Sequence, residues 1–389
     1  MTDCVAALRP QARMAPESGI VEVVNFARER DDLIPLWVGE GDLPTPEFIR
    51  EAAAASLARG ETFYTYQRGI PALRSALARY HLTHYGCDWG AERYFITGSG
   101  MQAIQLAVQA VAGEGDEVVY PSPAWPNFPA AVEVMGARAV PVRLEFSQNG
   151  WSLDPERLFA AVTDRTRALY LNSPGNPNGW VADRQTLQTI LDEARRRGLW
   201  IITDEVYNRI MLDGSARAPS FYDVAEPDDL ILYVNTFSKN WAMTGWRVGW
   251  LSAPPAMGQV VENLIQYSTS GVAEFMQHGA LAAVEQGEAF LQSQLERSRQ
   301  GLEIVTEALS ASDRVRFAQP AGGFYLFFGV DGEPDCRDLA LRLVSETGVG
   351  LAPGRAFGTG GEGFLRLCFA RSADDLRRAG ERLGDWLSR

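Results

Sequence analysis

Between Tyr233 and Trp250 the chain reads YVNTFSKNWAMTGWRVGW, with Lys239 and Arg247 eight positions apart among aromatics and small polar residues. The apolar run 230–234 reads as a buried strand that empties into Thr236, Ser238 and Lys239. After a short turn, Arg247 sits beside a second apolar segment, 246–251. An amine and a guanidinium at this spacing suit a reactive amine held beside a phosphate. They equally suit two strands whose connection carries solvated cations. The ends of the other strands decide between the two.

Composition narrows the function classes. The 389 residues are 46% hydrophobic and 22% charged, as in an ordinary globular protein of about two domains. Thirty-six basic against 49 acidic residues leave a net charge of −13, which argues against a general nucleic-acid or anionic-membrane binder. The densest basic run, Arg195 to Arg197, reads as a helix end opposing the dipole. Cys4, Cys87, Cys336 and Cys368 form no CxxC pair. His81 and His84 are the sole close histidine pair, too few ligands for zinc, so no metal is expected. No signal peptide follows Arg9 and Arg13, and runs such as 324–328 are too short to span a bilayer. A cytoplasmic protein is expected.

Those strand ends must be positioned by a larger framework. Residues 14–31 carry a helical pattern, 33–38 a strand-like run, and 47–58 a strong helix. Pro71 marks the start of another helix. From about residue 93 the rhythm is strand, helix, strand. Short apolar strands fall at 94–97, 117–120, 137–144, 168–171, 199–203, 230–234 and 247–251. The pattern predicts an α/β fold, with a seven-stranded, mainly parallel sheet flanked by helices, and ligands bound beyond the carboxyl ends of the strands. Past Glu262 the rhythm changes to α+β. The expected division is a large cofactor domain, 46–282, and a smaller α+β domain built from both chain ends, 1–45 and 283–389.

At those strand ends stand, in order, VGEGDLPTP, FYTYQRGIPALR, TGSGMQA, PSPAWPNF, NSPGNPNG, TDEVYNRI, NTFSKNWAMTGWRVGW and FLRLCF. Taken together, across nearly the whole chain, they resemble the fold-type-I pyridoxal-phosphate enzymes, and within them the class I/II aminotransferases. The resemblance implies pyridoxal 5'-phosphate as cofactor, an amino acid and a 2-oxo acid as substrates, and a homodimer with shared sites.

The roles it implies can each be weighed as chemistry. Lys239 matches the Schiff-base lysine, which also shuttles a proton once displaced. Asp204 is placed to keep the pyridinium nitrogen protonated. Its neighbour Glu205 points the other way along an extended segment and reads as structural. Tyr207 and Asn176 match donors to the cofactor's phenolate oxygen, and Trp125 the aromatic stacked on its ring. Gly100 and Met101, at a helix start, with Thr236 and Arg247, would bind the phosphate. Tyr64 would reach the phosphate in the partner subunit. Arg366 matches the clamp on the substrate α-carboxylate, with Asn176 and a backbone contact from Gly39.

Some features depart from the resemblance or resist it. Glu40-Gly41 replaces the usual Glu-Pro, and Asn178 stands where threonine is common. Met101 lies where some aspartate-specific relatives carry lysine, and no arginine stands near Gln266. A neutral, aromatic or basic donor is therefore expected over a dicarboxylate. Glu274, in a loop expected to approach the partner's site, is either a contact for a cationic or polar side chain or a solvated carboxylate. Gly98-Ser-Gly100 lacks the dinucleotide pattern, and 358–363 lacks the lysine of a P-loop. A lyase or cyclase reaction would use the same Lys239 and Asp204. A cofactor-binding regulator would need the basic DNA-binding domain that this chain does not show.

Overall fold

The computed structural model describes residues 4–389. At its centre is a seven-stranded sheet of β1 (Tyr94–Thr97), β2 (Glu117–Ser122), β3 (Arg138–Arg143), β4 (Thr166–Asn172), β5 (Trp200–Asp204), β6 (Ile231–Thr236) and β7 (Gly249–Ser252). Their spatial order is β1-β7-β6-β5-β4-β2-β3. β7 runs antiparallel to both neighbours, whereas the other adjacent strands pair in parallel. This reversal has a consequence for the site. Gly249, the first residue of β7, pairs with Thr97 and Thr236, the last residues of β1 and β6. The chain therefore leaves β6, turns through Lys239 and Arg247, and re-enters the sheet without leaving its carboxyl edge.

Strands covered on both faces need apolar residues at every position, which is why they read as short unbroken runs. Consecutive residues of β5 show it. Ile201 belongs to one buried cluster, together with Leu187 and Ile190, and Ile202 to a second, together with Ile104 and Val108. Each such side chain stabilises the fold by about 1.5–3 kcal/mol. The covering helices include α1 (Gly19–Phe26), α2 (Glu47–Ala58), α3 (Pro71–Tyr85), α4 (Gly100–Val111), α5 (Asn127–Val134) and α6 (Arg184–Arg197). α3 begins on Pro71 and stops on left-handed Gly86. His81 is buried on it and stacked against Tyr85, a packing role. In the last turn of α6, Arg195 pairs with Asp229, and Arg196 and Arg197 with Glu193.

After α7 (Glu274–Gln286) and α8 (Glu288–Ser310), a second sheet forms from β8 (Val315–Phe317), β9 (Tyr325–Val330), β10 (Ala352–Pro353) and β11 (Phe364–Cys368). Its order is β8-β9-β11-β10, all antiparallel. α9 (Cys336–Thr347) and α10 (Ala373–Leu387) complete this half. Ile34–Pro35 pairs in parallel with Val349–Gly350, so the N-terminal segment reaches the C-terminal part of the chain. No helix among the described residues is long and apolar enough to cross a membrane.

Three expectations about elements need correction. The helix over 14–31 is shorter, Gly19–Phe26, because Pro16 removes a donor and biases Ala15 away from helical geometry. The strand over 33–38 is only two residues long, since the Leu36 carbonyl accepts from the Cys368 amide instead of continuing the ladder. Arg247 lies before β7, in left-handed backbone with φ 53°.

Candidate active site

A cavity of about 490 Å³ opens at the carboxyl edge of the central sheet. Of the site residues expected from the sequence, all but Tyr64 line it: Gly39, Gly100, Met101, Trp125, Asn176, Asp204, Tyr207, Thr236, Lys239, Arg247 and Arg366. Tyr64 is 94% exposed in the loop after α2, so this single chain does not bring it to the cavity. Glu274 opens α7 beside His278 and Glu61 and does not line the cavity either. This corrects its placement in a loop.

One end of the cavity is built from backbone. Ser99 caps α4 by accepting from the Gln102 amide at 3.1 Å, which leaves the Gly100 and Met101 amides in the first turn without intrahelical acceptors. A Cβ at Gly249 would fall 2.6 Å from the Gly100 nitrogen, so only glycine lets β7 pass this helix start. The Thr236 hydroxyl sits 2.9 Å from that of Ser238 and 3.2 Å from the Val248 carbonyl. Arg247 is exposed and donates to the Thr244 carbonyl at 2.7 Å. Among the described residues, four non-glycines take positive φ, and three of them, Ser99, Ala242 and Arg247, fall in the two turns at this end. Such backbone costs about 1–3 kcal/mol each and persists where the surroundings demand it.

In the middle of the cavity stand a carboxylate and an amine. Asp204 ends β5 and is 2% exposed. It accepts from the Tyr170 hydroxyl at 2.8 Å and the Val206 amide at 3.3 Å. Burial pushes its pKa up to about 6, against these hydrogen bonds and the pull of Lys239. Burial likewise lowers Lys239 to about 8, with Arg366 adding to the effect and Cys368, Glu40 and Asp204 opposing it. An amine so lowered is partly neutral near physiological pH and can act as a nucleophile. Its Nζ donates to the Gly39 carbonyl at 2.6 Å. The chain contains no other lysine; the remaining 36 − 1 = 35 basic residues counted with it are arginines. This compositional signal complements the motif.

The far wall comes from the second sheet. Arg366 on β11 is 3% exposed, donates to Asn176 Oδ1 at 2.8 Å and to the Trp37 carbonyl, and leaves Nε without a partner. Its guanidinium lies between the rings of Tyr325 and Phe357, at 4.5 and 4.7 Å. Asn176, engaged through Oδ1, keeps its Nδ2 to donate elsewhere. The residue that sequence reasoning missed is Tyr325, whose hydroxyl lies 2.8 Å from that of Tyr207. A tyrosine in the apolar run 324–328 carries no local sign of that contact.

The residues present fit pyridoxal phosphate. Asp204 is a buried carboxylate with only neutral hydrogen-bond donors in contact, an arrangement completed by a cation such as a ring N–H⁺. The glycine-lined helix start suits a phosphate, and the single lysine suits an aldehyde. The sheet and this set of groups define the class of enzymes that hold such a cofactor at the carboxyl edge of an α/β sheet.

Comparison with known proteins is specific. The family described as "Aminotransferase class I and II" matches residues 31–383. An arginine–pyruvate transaminase of Pseudomonas aeruginosa is 35% identical, over 91% of this chain and 89% of its own length. An aspartate/prephenate aminotransferase of Thermus thermophilus is 33% identical, over 99% and 98%. The crystal structure of an aspartate aminotransferase from Thermotoga maritima superposes with a TM-score of 0.91 at 34% identity, covering 98% of this chain and 100% of that one. The chain belongs to the class I and II aminotransferase family, and is a pyridoxal-phosphate-dependent transaminase with an amino acid and a 2-oxo acid as substrates.

Proposed function

We propose that this aminotransferase takes its amino group from a neutral, aromatic or basic L-amino acid in preference to a dicarboxylic one. The observation that carries this reading is the apolar part of the cavity lining, to which Ile20, Val21 and Val24 of α1 contribute with Trp37, Met101 and Ile104. Lys239, Arg247 and Arg366 are the cations lining the cavity, and the cofactor and the α-carboxylate employ all three in this reading. A short distal carboxylate would be desolvated there without a partner, whereas a long basic side chain can lay its methylenes along the apolar lining and keep its charged end in water. Several relatives are named aspartate aminotransferases and one an arginine–pyruvate transaminase, so family membership alone does not choose. Mixing the holoenzyme with single amino acids, without an oxo acid, and following loss of its visible absorbance tests this. Phenylalanine, alanine or arginine should discharge the colour at least tenfold faster than aspartate. Fastest discharge by aspartate overturns the donor preference.

The site roles follow the same reading. When bound, the cofactor supplies an electron sink for the bond broken at the substrate α-carbon. Lys239 would hold it and then move the proton from that carbon, while Asp204 would keep the ring nitrogen protonated. Tyr207 and Asn176 would donate to the ring oxygen and Trp125 would cover its face. Gly100, Met101, Thr236 and Arg247 would bind the phosphate. Arg366, with Asn176 and the Gly39 backbone, would orient the α-carboxylate. Segments 1–45, of which residues 1–3 lie outside the described residues, and 283–389 would then form one unit beside 46–282, a division supported by the pairing of Ile34–Pro35 with Val349–Gly350.

A homodimer is part of this proposal. Phe63, Tyr64, Tyr66 and Tyr267 are 83%, 94%, 61% and 86% exposed, more large ring surface than a monomer leaves in water without use. Tyr64 would complete the partner subunit's phosphate site. Sedimentation of the purified protein at twice the chain mass supports this, and sedimentation as a monomer overturns it. A cytoplasmic setting is proposed from the four scattered thiols, none in a disulfide.

A further inference from the structure

Tyr325 opens β9 directly opposite Cys368, two residues beyond Arg366 on β11. It is 1% exposed and lines the cavity. Three neighbours fix it. Its hydroxyl oxygen lies 2.8 Å from that of Tyr207. Its ring lies 4.5 Å from the Arg366 guanidinium carbon. A Cβ at residue 39 would fall 2.3 Å from its oxygen, so the glycine there admits the phenol, and the carbonyl of that glycine accepts from Lys239.

Each phenol has one proton to give, so a pair in contact has one donor and one acceptor. We propose that Tyr325 is a positioning residue for amino transfer: its hydroxyl donates to Tyr207, aiming the Tyr207 proton into the cavity, and its ring carries the Arg366 guanidinium. This rests on the reading of Tyr207 and Arg366 given above. Burial holds both phenols well above the ordinary tyrosine range, so both keep their protons at working pH. The ionisable groups facing the pair are Arg366, Cys368, Glu40 and Asp204, with Lys239 beyond Gly39. A hydrogen bond received by Tyr207 polarises its own O–H and strengthens what it donates. With the cofactor held as proposed, a stronger donor from Tyr207 to its ring oxygen would favour the anionic form there and so lower the pH at which the bound cofactor's visible band changes.

The test is to follow the bound cofactor's visible band across pH in four holoenzymes: wild type, Tyr325→Phe, Tyr207→Phe and the double variant. Tyr325→Phe should raise the spectral midpoint by about half a pH unit, and Tyr207→Phe by about one or more. The double variant should match Tyr207→Phe alone, because Tyr325 acts through Tyr207. KM for the amino acid should stay within about twofold in Tyr325→Phe, which keeps the ring on Arg366, and rise about fivefold in Tyr325→Leu. The Phe variant preserves packing, so it tests the hydroxyl even where the Leu variant does not fold. A midpoint unchanged in Tyr325→Phe but raised in Tyr207→Phe overturns the inference alone, as does additivity in the double variant. A midpoint unchanged in Tyr207→Phe overturns the reading of Tyr207 itself.

Discussion

Asp204 and Glu205 are adjacent, both carboxylates, both buried, and both pushed upward by burial, to about 6 and about 7. Their surroundings separate them. Glu205 points away from the cavity and accepts the Ser220 hydroxyl at 2.7 and 2.9 Å and that of Thr203 at 3.3 Å. Beyond it, Tyr85, Tyr222 and Tyr233 fill the space behind the sheet. Asp204 faces a cavity of about 490 Å³ that also holds the only lysine. A buried carboxylate is costly in either place. Behind the sheet the cost is met by fixed hydroxyls, so the group is part of the fold. At the edge it is left for a cation to offset, which is why we propose that the group takes part in the chemistry.

Variants at the cavity edge should therefore lose activity before stability, and variants behind the sheet the reverse. The largest effect is expected for Lys239→Ala. Loss of the proposed nucleophile and proton carrier together should lower kcat by on the order of 10⁴-fold, measured as amino transfer at saturating cofactor. Asp204→Asn should lower it by about 10³-fold, the equivalent of removing one partner of a buried ion pair. Glu205→Gln should keep activity within about threefold, and a larger loss there would erase the distinction between the two carboxylates.

Glu205 also carries a pH signature. Below its ordinary pKa of 4.5, folded and unfolded chains both hold its proton; between 4.5 and about 7 only the folded chain does. The contribution to stability therefore falls as pH rises through that window, by roughly 3 kcal/mol in all, and is level above it. Glu205→Gln removes that slope. Its Tm relative to wild type should be higher at pH 8 than at pH 5, whereas an equal offset at both would contradict the assignment.

Smaller effects test the rest of the edge. Gly249→Ala forces the start of α4 away from β7 and should weaken cofactor affinity about tenfold in a titration. Met101→Lys places a cation on the half-buried apolar wall. It should raise kcat/KM for aspartate about fivefold relative to phenylalanine, less than a fully buried charged hydrogen bond would give.

Much of the sheet was legible because its strands are covered on both faces and read as apolar runs ending in Ser122, Asn172, Asp204 and Thr236. Placement of the expected residues at one cavity was legible because parallel strands bring their carboxyl ends together. The antiparallel β7 blurred its own boundary, since a left-handed Arg247 looks like the start of a strand in sequence. Tyr325 was not legible. Its contacts depend on β9 meeting β11 across about forty residues and on a glycine far upstream, and neither leaves a local pattern. Glu274 was misread because its helix begins without a side-chain cap.

Because Lys239 is the only lysine, one measurement reaches the central claim without a variant. Borohydride makes an amine–carbonyl link permanent, and mass spectrometry of the reduced holoenzyme then counts and locates the cofactor. The account predicts one cofactor per chain, carried on the tryptic peptide 218–247, with an added amino acid preventing the attachment. An unmodified Lys239, or a cofactor found only at the N-terminal amine, would contradict it.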